Sequence, residues 1–125
     1  MTHTFDEEFE SIFRLSPRIR YVAIRRDALL ESREAPGIQN ASSSESDKYE
    51  ELIVNPTLLF LAQQRGNIDC GGATFLIIGY GHFTQLVVNI PCGHASVAFE
   101  LGSNPLDYVA EVRAVFDQTV DQCVA

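Results

Sequence analysis

The second half of the chain reads as three short strands in succession. ATFLIIGY at 73–80 is apolar at nearly every position, whereas HFTQLVVNI at 82–90 and GHASVAFEL at 93–101 mix apolar and polar residues. In the middle strand Phe83, Gln85, Val87 and Asn89 share one face, and Thr84, Leu86, Val88 and Ile90 the other. In the last, Ala95, Val97, Phe99 and Leu101 face one way, and His94, Ser96 and Glu100 the other. The joints Gly79-Tyr80-Gly81 and Pro91-Cys92-Gly93 are turn residues. Strands joined so tightly pair antiparallel, because a parallel pair needs a crossover of about a dozen residues or more. Such a meander usually covers one face with helices. The first strand, apolar on both sides, predicts cover on both.

Helical spacing appears elsewhere. Phe5, Phe9, Ile12 and Phe13 form one stripe, with Thr4 as its cap, Asp6, Glu7 and Glu8 at the positive end of the dipole, and Ser16-Pro17 as its stop. IRYVAIRR and LLESRE read as a hairpin turning at Asp27, without the Asn-Gly or Asp-Gly of the tightest turns. PGIQNASSSES at 36–46 is loop-like. A capping start at Ser46 leads into the stripe Tyr49, Leu52, Ile53, and then Pro56 interrupts. Asn55-Pro56 reads as a second helix start, and Leu58, Leu59, Leu61 and Ala62 run on to Gly66-Asn67. The segment is one kinked helix or two in tandem. A closing helix carries Leu106, Val109, Val112, Phe116, Val120 and Cys123 at spacings of three and four.

Composition narrows the class. A chain of 125 residues predicts one domain spanning 1–125, and 46% hydrophobic content excludes overall disorder. No twenty-residue apolar run occurs and the acidic N-terminus lacks the apolar core of a secretory signal, so the expectation is a cytoplasmic protein off the membrane. A net charge of −8 argues against nucleic acid and anionic lipid, and for a basic protein surface as partner.

Candidate chemistry is sparse. Cys70, Cys92 and Cys123 are widely spaced and odd in number, which predicts free thiols rather than a disulfide framework. With His82 and His94 they make no zinc-ligand spacing, so no metal and no cofactor are expected. Cys92 and His94 stand two apart, as a nucleophile and base would, but a turn cysteine beside a surface histidine is about ten times the commoner meaning. Asp69-Cys70-Gly71-Gly72 offers a small anion nest and is more simply a helix-to-strand loop. Gly79-Tyr80-Gly81 lacks the rest of a dinucleotide fingerprint. The basic cluster Arg18, Arg20, Arg25 and Arg26 is expected to pair with Glu31, Glu34 or the first helix. No catalytic residue is assigned.

The element order is helix, two strands, helix, three strands, helix. That order resembles the roadblock family of dynein-associated light chains and small-GTPase regulators. The resemblance rests on the hairpin RYVAIRRDALLESRE, the meander FLIIGYGHFTQLVVNIPCGHASVAFEL and the closing helix NPLDYVAEVRAVFDQ. It implies an α+β fold: a five-stranded antiparallel sheet with the central helix on one face and the terminal helices on the other. It also implies a homodimer built on the central helix and the first meander strand, where Thr74, Leu76 and Ile78 would lie, and a protein partner such as a small GTPase. The chain departs from the family in lacking the hairpin glycine and in carrying Pro56 inside the central helix.

These readings converge on a non-enzymatic regulatory or scaffold protein. The competing class is a profilin-like sensor module with a small-molecule pocket between sheet and helix. The segment 42–56, with its serine-rich loop, acidic helix start and proline, is the expected interaction surface. Its residues are Tyr49, Glu50, Glu51, Asn55 and Pro56.

Overall fold

In the computed structural model, which describes residues 5–117, the order α-β-β-α-β-β-β-α is realised. The elements are α1 (Asp6–Phe13), β1 (Ile19–Arg26), β2 (Leu29–Glu34), α2 (Ser44–Tyr49), α3 (Asn55–Asp69), β3 (Phe75–Gly79), β4 (Phe83–Ile90), β5 (Gly93–Glu100) and α4 (Val109–Val115). The five strands form one antiparallel sheet in the order β2-β1-β5-β4-β3. The first hairpin and the meander therefore meet where β1 pairs with β5, at the centre of the sheet.

Two tight turns fix the register. Asp27 turns the first hairpin at φ 54°, a left-handed conformation that an aspartate tolerates and a branched residue does not. Pro91-Cys92 turns β4 into β5, and there Gly93 is obligatory: a Cβ on it would lie 1.8 Å from the carbonyl oxygen of Arg25 on β1.

The two faces of the sheet are packed with different chemistry. On one, Val22, Ile24, Leu86, Val88, Ala95, Val97 and Phe99 bury against Phe5, just before α1, against Phe9 and Ile12 of α1, and against Val112 and Phe116. This is the alternation that the sequence predicts for β4 and β5. Phe99 also stacks on Tyr108, with centroids 5.3 Å apart. Leu106 departs from the expected stripe and is exposed, whereas Val112 and Phe116 keep to it. Thr4, Val120 and Cys123 lie outside the described residues.

The other face is small and polar: Tyr21, Ala23, Gln85, His94, Ser96 and Ala98, all buried. Over it runs helical backbone from 44 to 69 without a break. Ser43 caps its start, its Oγ accepting from the Ser46 N–H at 3.1 Å, three residues earlier than the expected cap. Helical backbone continues through Pro56, so of one helix or two in tandem the single one is realised. Proline has no N–H to give and its ring crowds the carbonyl four residues back. The chain absorbs this in a π-turn over Glu50–Val54, where the Asn55 N–H reaches back to the Glu50 carbonyl.

Candidate functional site

The central helix presents two different faces. Glu51, Asn55 and Leu59, spaced by four, turn toward the sheet and are buried. Beneath them is a closed polar cluster in which Glu51, Asn55, His94 and Ser96 are each at most 2% exposed. Glu51 Oε1 lies 2.7 Å from His94 Nε2 and accepts from Ser96 Oγ at 2.7 Å and from Asn55 Nδ2 at 3.1 Å. Its other oxygen accepts from the Tyr21 hydroxyl at 3.3 Å. Asn55 Nδ2 also donates to Ser96 Oγ at 3.0 Å, tying helix to β5 directly. Burial first, and the Glu51 charge next, push the Tyr21 hydroxyl far above the ordinary tyrosine range. A buried carboxyl is tolerated where polar partners satisfy it, and here Ser96, Asn55 and Tyr21 donate while His94 Nε2 stands against it.

The outward face is apolar and bare. Tyr49, Ile53, Phe60 and Ile68 lie along it, 62%, 51%, 61% and 75% exposed, with Leu52 and Leu61 beside them. So many large apolar side chains exposed on one helix are more than singly scattered surface residues supply. Strand β3 stands at the sheet margin, pairing only with β4. No second strand among the described residues pairs with it, and Ile77 is 37% exposed.

The expected interaction residues separate accordingly. Tyr49 is on the exposed face. Pro56 is half-buried, and Glu50 is half-buried with both carboxylate oxygens accepting from the Tyr80 hydroxyl at 2.9 and 3.0 Å. Burial most of all, then that bond and the nearby acids, push Tyr80 up to about 12. Glu51 and Asn55 are not surface residues; they are the polar anchors of the helix, because the sheet face below offers His94 and Ser96 rather than apolar partners. Of the strand residues, Thr74 precedes β3, and Leu76 and Ile78 point to the central-helix side opposite Val87 and Gln85. Cover on the two faces of this strand is partial: Phe75 packs against the core, whereas Ile77 is 37% exposed. Phe60, Leu61 and Ile68 are outside the expected surface, although their spacing from Ile53 by seven and more is a signal the sequence carries.

The remaining candidates resolve into structure. Arg20 is buried and pairs with Glu100 at 3.1 Å, not with Glu31 or Glu34, and it also donates to the carbonyls of Gln39 and Asn40. Arg18 donates to the Leu101 carbonyl and Arg25 to that of Asp27, while Arg26 lies over the Phe5 ring. Cys70 is a free thiol as expected, though exposed, but Cys92 is disulfide-bonded, so neither it nor the buried His94 is a poised nucleophile or base. Among the described residues no group of three or more His, Cys, Asp or Glu is placed to hold a metal. No helix among them is long and apolar enough to cross a membrane.

No protein-family model matches the chain, and no curated protein matches it either. Solved structures do. MglB in a tetrameric arrangement superposes with a TM-score of 0.69 at 10% identity, over 97% of this chain and 91% of that one. The gliding protein MglB of Thermus thermophilus superposes with a TM-score of 0.67 at 12% identity, over 98% and 96%. The fold is roadblock-like. Identity this low carries the architecture alone, and the residues that line the central helix must speak for themselves.

Proposed function

We propose that the protein is a non-enzymatic regulatory or scaffold subunit that forms a homodimer and docks a protein partner. The observation that carries this reading is the bare apolar stripe Tyr49, Ile53, Phe60, Ile68, together with β3 as a margin strand of the sheet. A twofold partner would bury the stripe and continue the sheet across both copies. The roadblock-like fold, and its likeness to an MglB that assembles as a tetramer, support association. They also make a small GTPase the partner class to try first.

Sedimentation velocity of the wild type and of Phe60→Glu tests the dimer. The wild type should sediment as a dimer at micromolar concentration and the variant as a folded monomer. A wild-type monomer would remove the main support for this reading. A small-molecule sensor module is the second reading, favoured by an open groove of about 250 Å³ under α3, walled by Arg25, Leu59, Gln63, Asn89 and His94. Native mass spectrometry of the purified protein separates the two, since only a sensor should carry a bound small molecule.

A further inference from the structure

Three polar residues stand abreast at one end of the sheet's polar face. Arg25 of β1 and Asn89 of β4 are both in register with His94 of β5. The central helix crosses above them, and the open groove of about 250 Å³ lies between. Arg25 brings a positive charge to this groove. Its Nε donates to the Asp27 carbonyl at 3.2 Å, and its two terminal nitrogens have no partner among the described residues. In a chain of net charge −8, an arginine without a carboxylate is a cation left over. The amides of the wall are already spent. Gln63 Oε1 accepts from the Ala73 N–H at 3.0 Å and from Asn89 Nδ2 at 3.4 Å, and Asn89 Nδ2 donates to the Ala73 carbonyl at 2.7 Å.

A second observation concerns His94, which is 2% exposed and yet forms part of the groove wall. Its Nε2 faces Glu51 Oε1 at 2.7 Å. Both Glu51 oxygens already accept, from Ser96, Asn55 and Tyr21, so the imidazole is the donor in that pair. The other ring nitrogen, Nδ1, has no partner among the described residues. In the neutral ring it presents a lone pair, and buried polar atoms are ordinarily satisfied. The charged groups around this ring are Arg25 on β1 and Glu51 on the central helix, with Glu50 acting on it electrostatically. From β4 it meets only the uncharged Asn89.

We propose that this groove binds the carboxyl group of a small organic acid, with Arg25 as its counter-charge, His94 Nδ1 as its buried polar contact, and Pro56, Leu59 and Phe60 against its hydrocarbon part. A bare anion would suit Arg25 but would meet the lone pair of His94 on its other side. A carboxyl group taken up with one proton from solvent suits both. One oxygen faces the guanidinium, and the proton bridges the other oxygen and Nδ1. The apolar residues of the helix select an organic acid over an inorganic anion, which has no surface to bury against them. This inference rests on the sensor reading of the groove and names its ligand class; it does not depend on the dimer.

The test is a titration of the ¹⁵N-labelled protein with 4-methylpentanoic acid, with its primary amide, and with inorganic phosphate, at matched pH and ionic strength. The acid should move the backbone amides of Phe60 and Gly93 to saturation. It should also shift His94 Nδ1 from the position of a bare ring nitrogen to that of a protonated one. Arg25→Met keeps the apolar stem of a half-buried side chain. It should weaken the acid about tenfold, the loss of one charge-assisted contact, and leave the amide as it was. Equal affinity for acid and amide, or an Arg25→Met protein that binds the acid as the wild type does, would overturn the carboxyl assignment and leave a sensor of neutral molecules. Phosphate binding as tightly as the acid would overturn the organic acid in favour of an adventitious anion. Saturation with His94 Nδ1 unmoved would overturn the role given to the histidine. No saturable shift with the acid would overturn the proposal as a whole. A neutral molecule retained in native mass spectrometry would then uphold the sensor reading by itself, and an empty protein would end both.

Discussion

Replacing Glu51 with leucine puts the helix anchor to the test. The side chain is 1% exposed, and its two oxygens take hydrogen bonds from Ser96, Asn55 and Tyr21 and face His94 Nε2 at 2.7 Å. Leucine fills nearly the same volume, so the change isolates the lost acceptor from any cavity. The four partners do not all suffer equally. Asn55 and Ser96 keep each other at 3.0 Å, whereas Tyr21 and His94 lose the contact altogether. Removing one side of a buried charged cluster costs about 3–5 kcal/mol. At about 4 °C per kcal/mol for a domain of this size, thermal melting followed by circular dichroism should fall by about 12–20 °C. Glu51→Gln, which keeps one acceptor oxygen, should fall by less. A triple variant Glu51→Leu, His94→Leu, Ser96→Ala should recover part of the loss, because an apolar set needs no acceptor. A Glu51→Leu protein that melts with the wild type would refute the view that this carboxylate holds the helix to the sheet.

Three further outcomes follow from the fold. Gly93→Ala would press a methyl to 1.8 Å from the Arg25 carbonyl, so it should cost at least about 3 kcal/mol in urea unfolding. Phe99→Ala should cost about 3–5 kcal/mol and flatten the aromatic circular-dichroism signal that the ring shares with Tyr108. Asp47→Asn should stabilise the protein at neutral pH. The folded state raises this carboxyl, mainly by burial, so it binds a proton that the unfolded chain has released and loses stability as pH climbs through that window. The advantage of the asparagine should shrink on acidification toward the ordinary carboxylate value of about 3.9, and an advantage that grew there would contradict the assignment.

Much of the architecture was legible because strands advertise themselves by period. The faces of β4 and β5 follow directly from alternation, and the turns at Asp27 and Pro91-Cys92 from residue type. The outcome at Pro56 was not legible, since a proline interrupts an α-helix by rule and only the wider turn around it shows that the helix goes on. Glu51 and Asn55 misled for a related reason. A glutamate and an asparagine beside a serine-rich loop read as surface, and their burial is intelligible only once β5 is known to put His94 and Ser96 underneath them. The spacing of four from Glu51 through Asn55 to Leu59 was the available hint. The disulfide at Cys92 had no local signal at all, because bonding depends on a distance in space that separation along the chain does not report.

The π-turn also sets the phase of the whole helix. Four residues overshoot one α-helical turn by about 40°, so a stripe spaced by fours drifts steadily around an ordinary helix. A turn closed by an i→i+5 bond takes more residues and reverses that drift. Placed at Glu50–Val54, it keeps Glu51, Asn55 and Leu59 on one line over the sheet. It is thus a rotational vernier. Deleting a single residue within it would leave a chain still able to form helix throughout, with its first half turned by about 100°. Glu51 would then swing away from His94, and the bare apolar line of Tyr49, Ile53 and Phe60 would be cut in two.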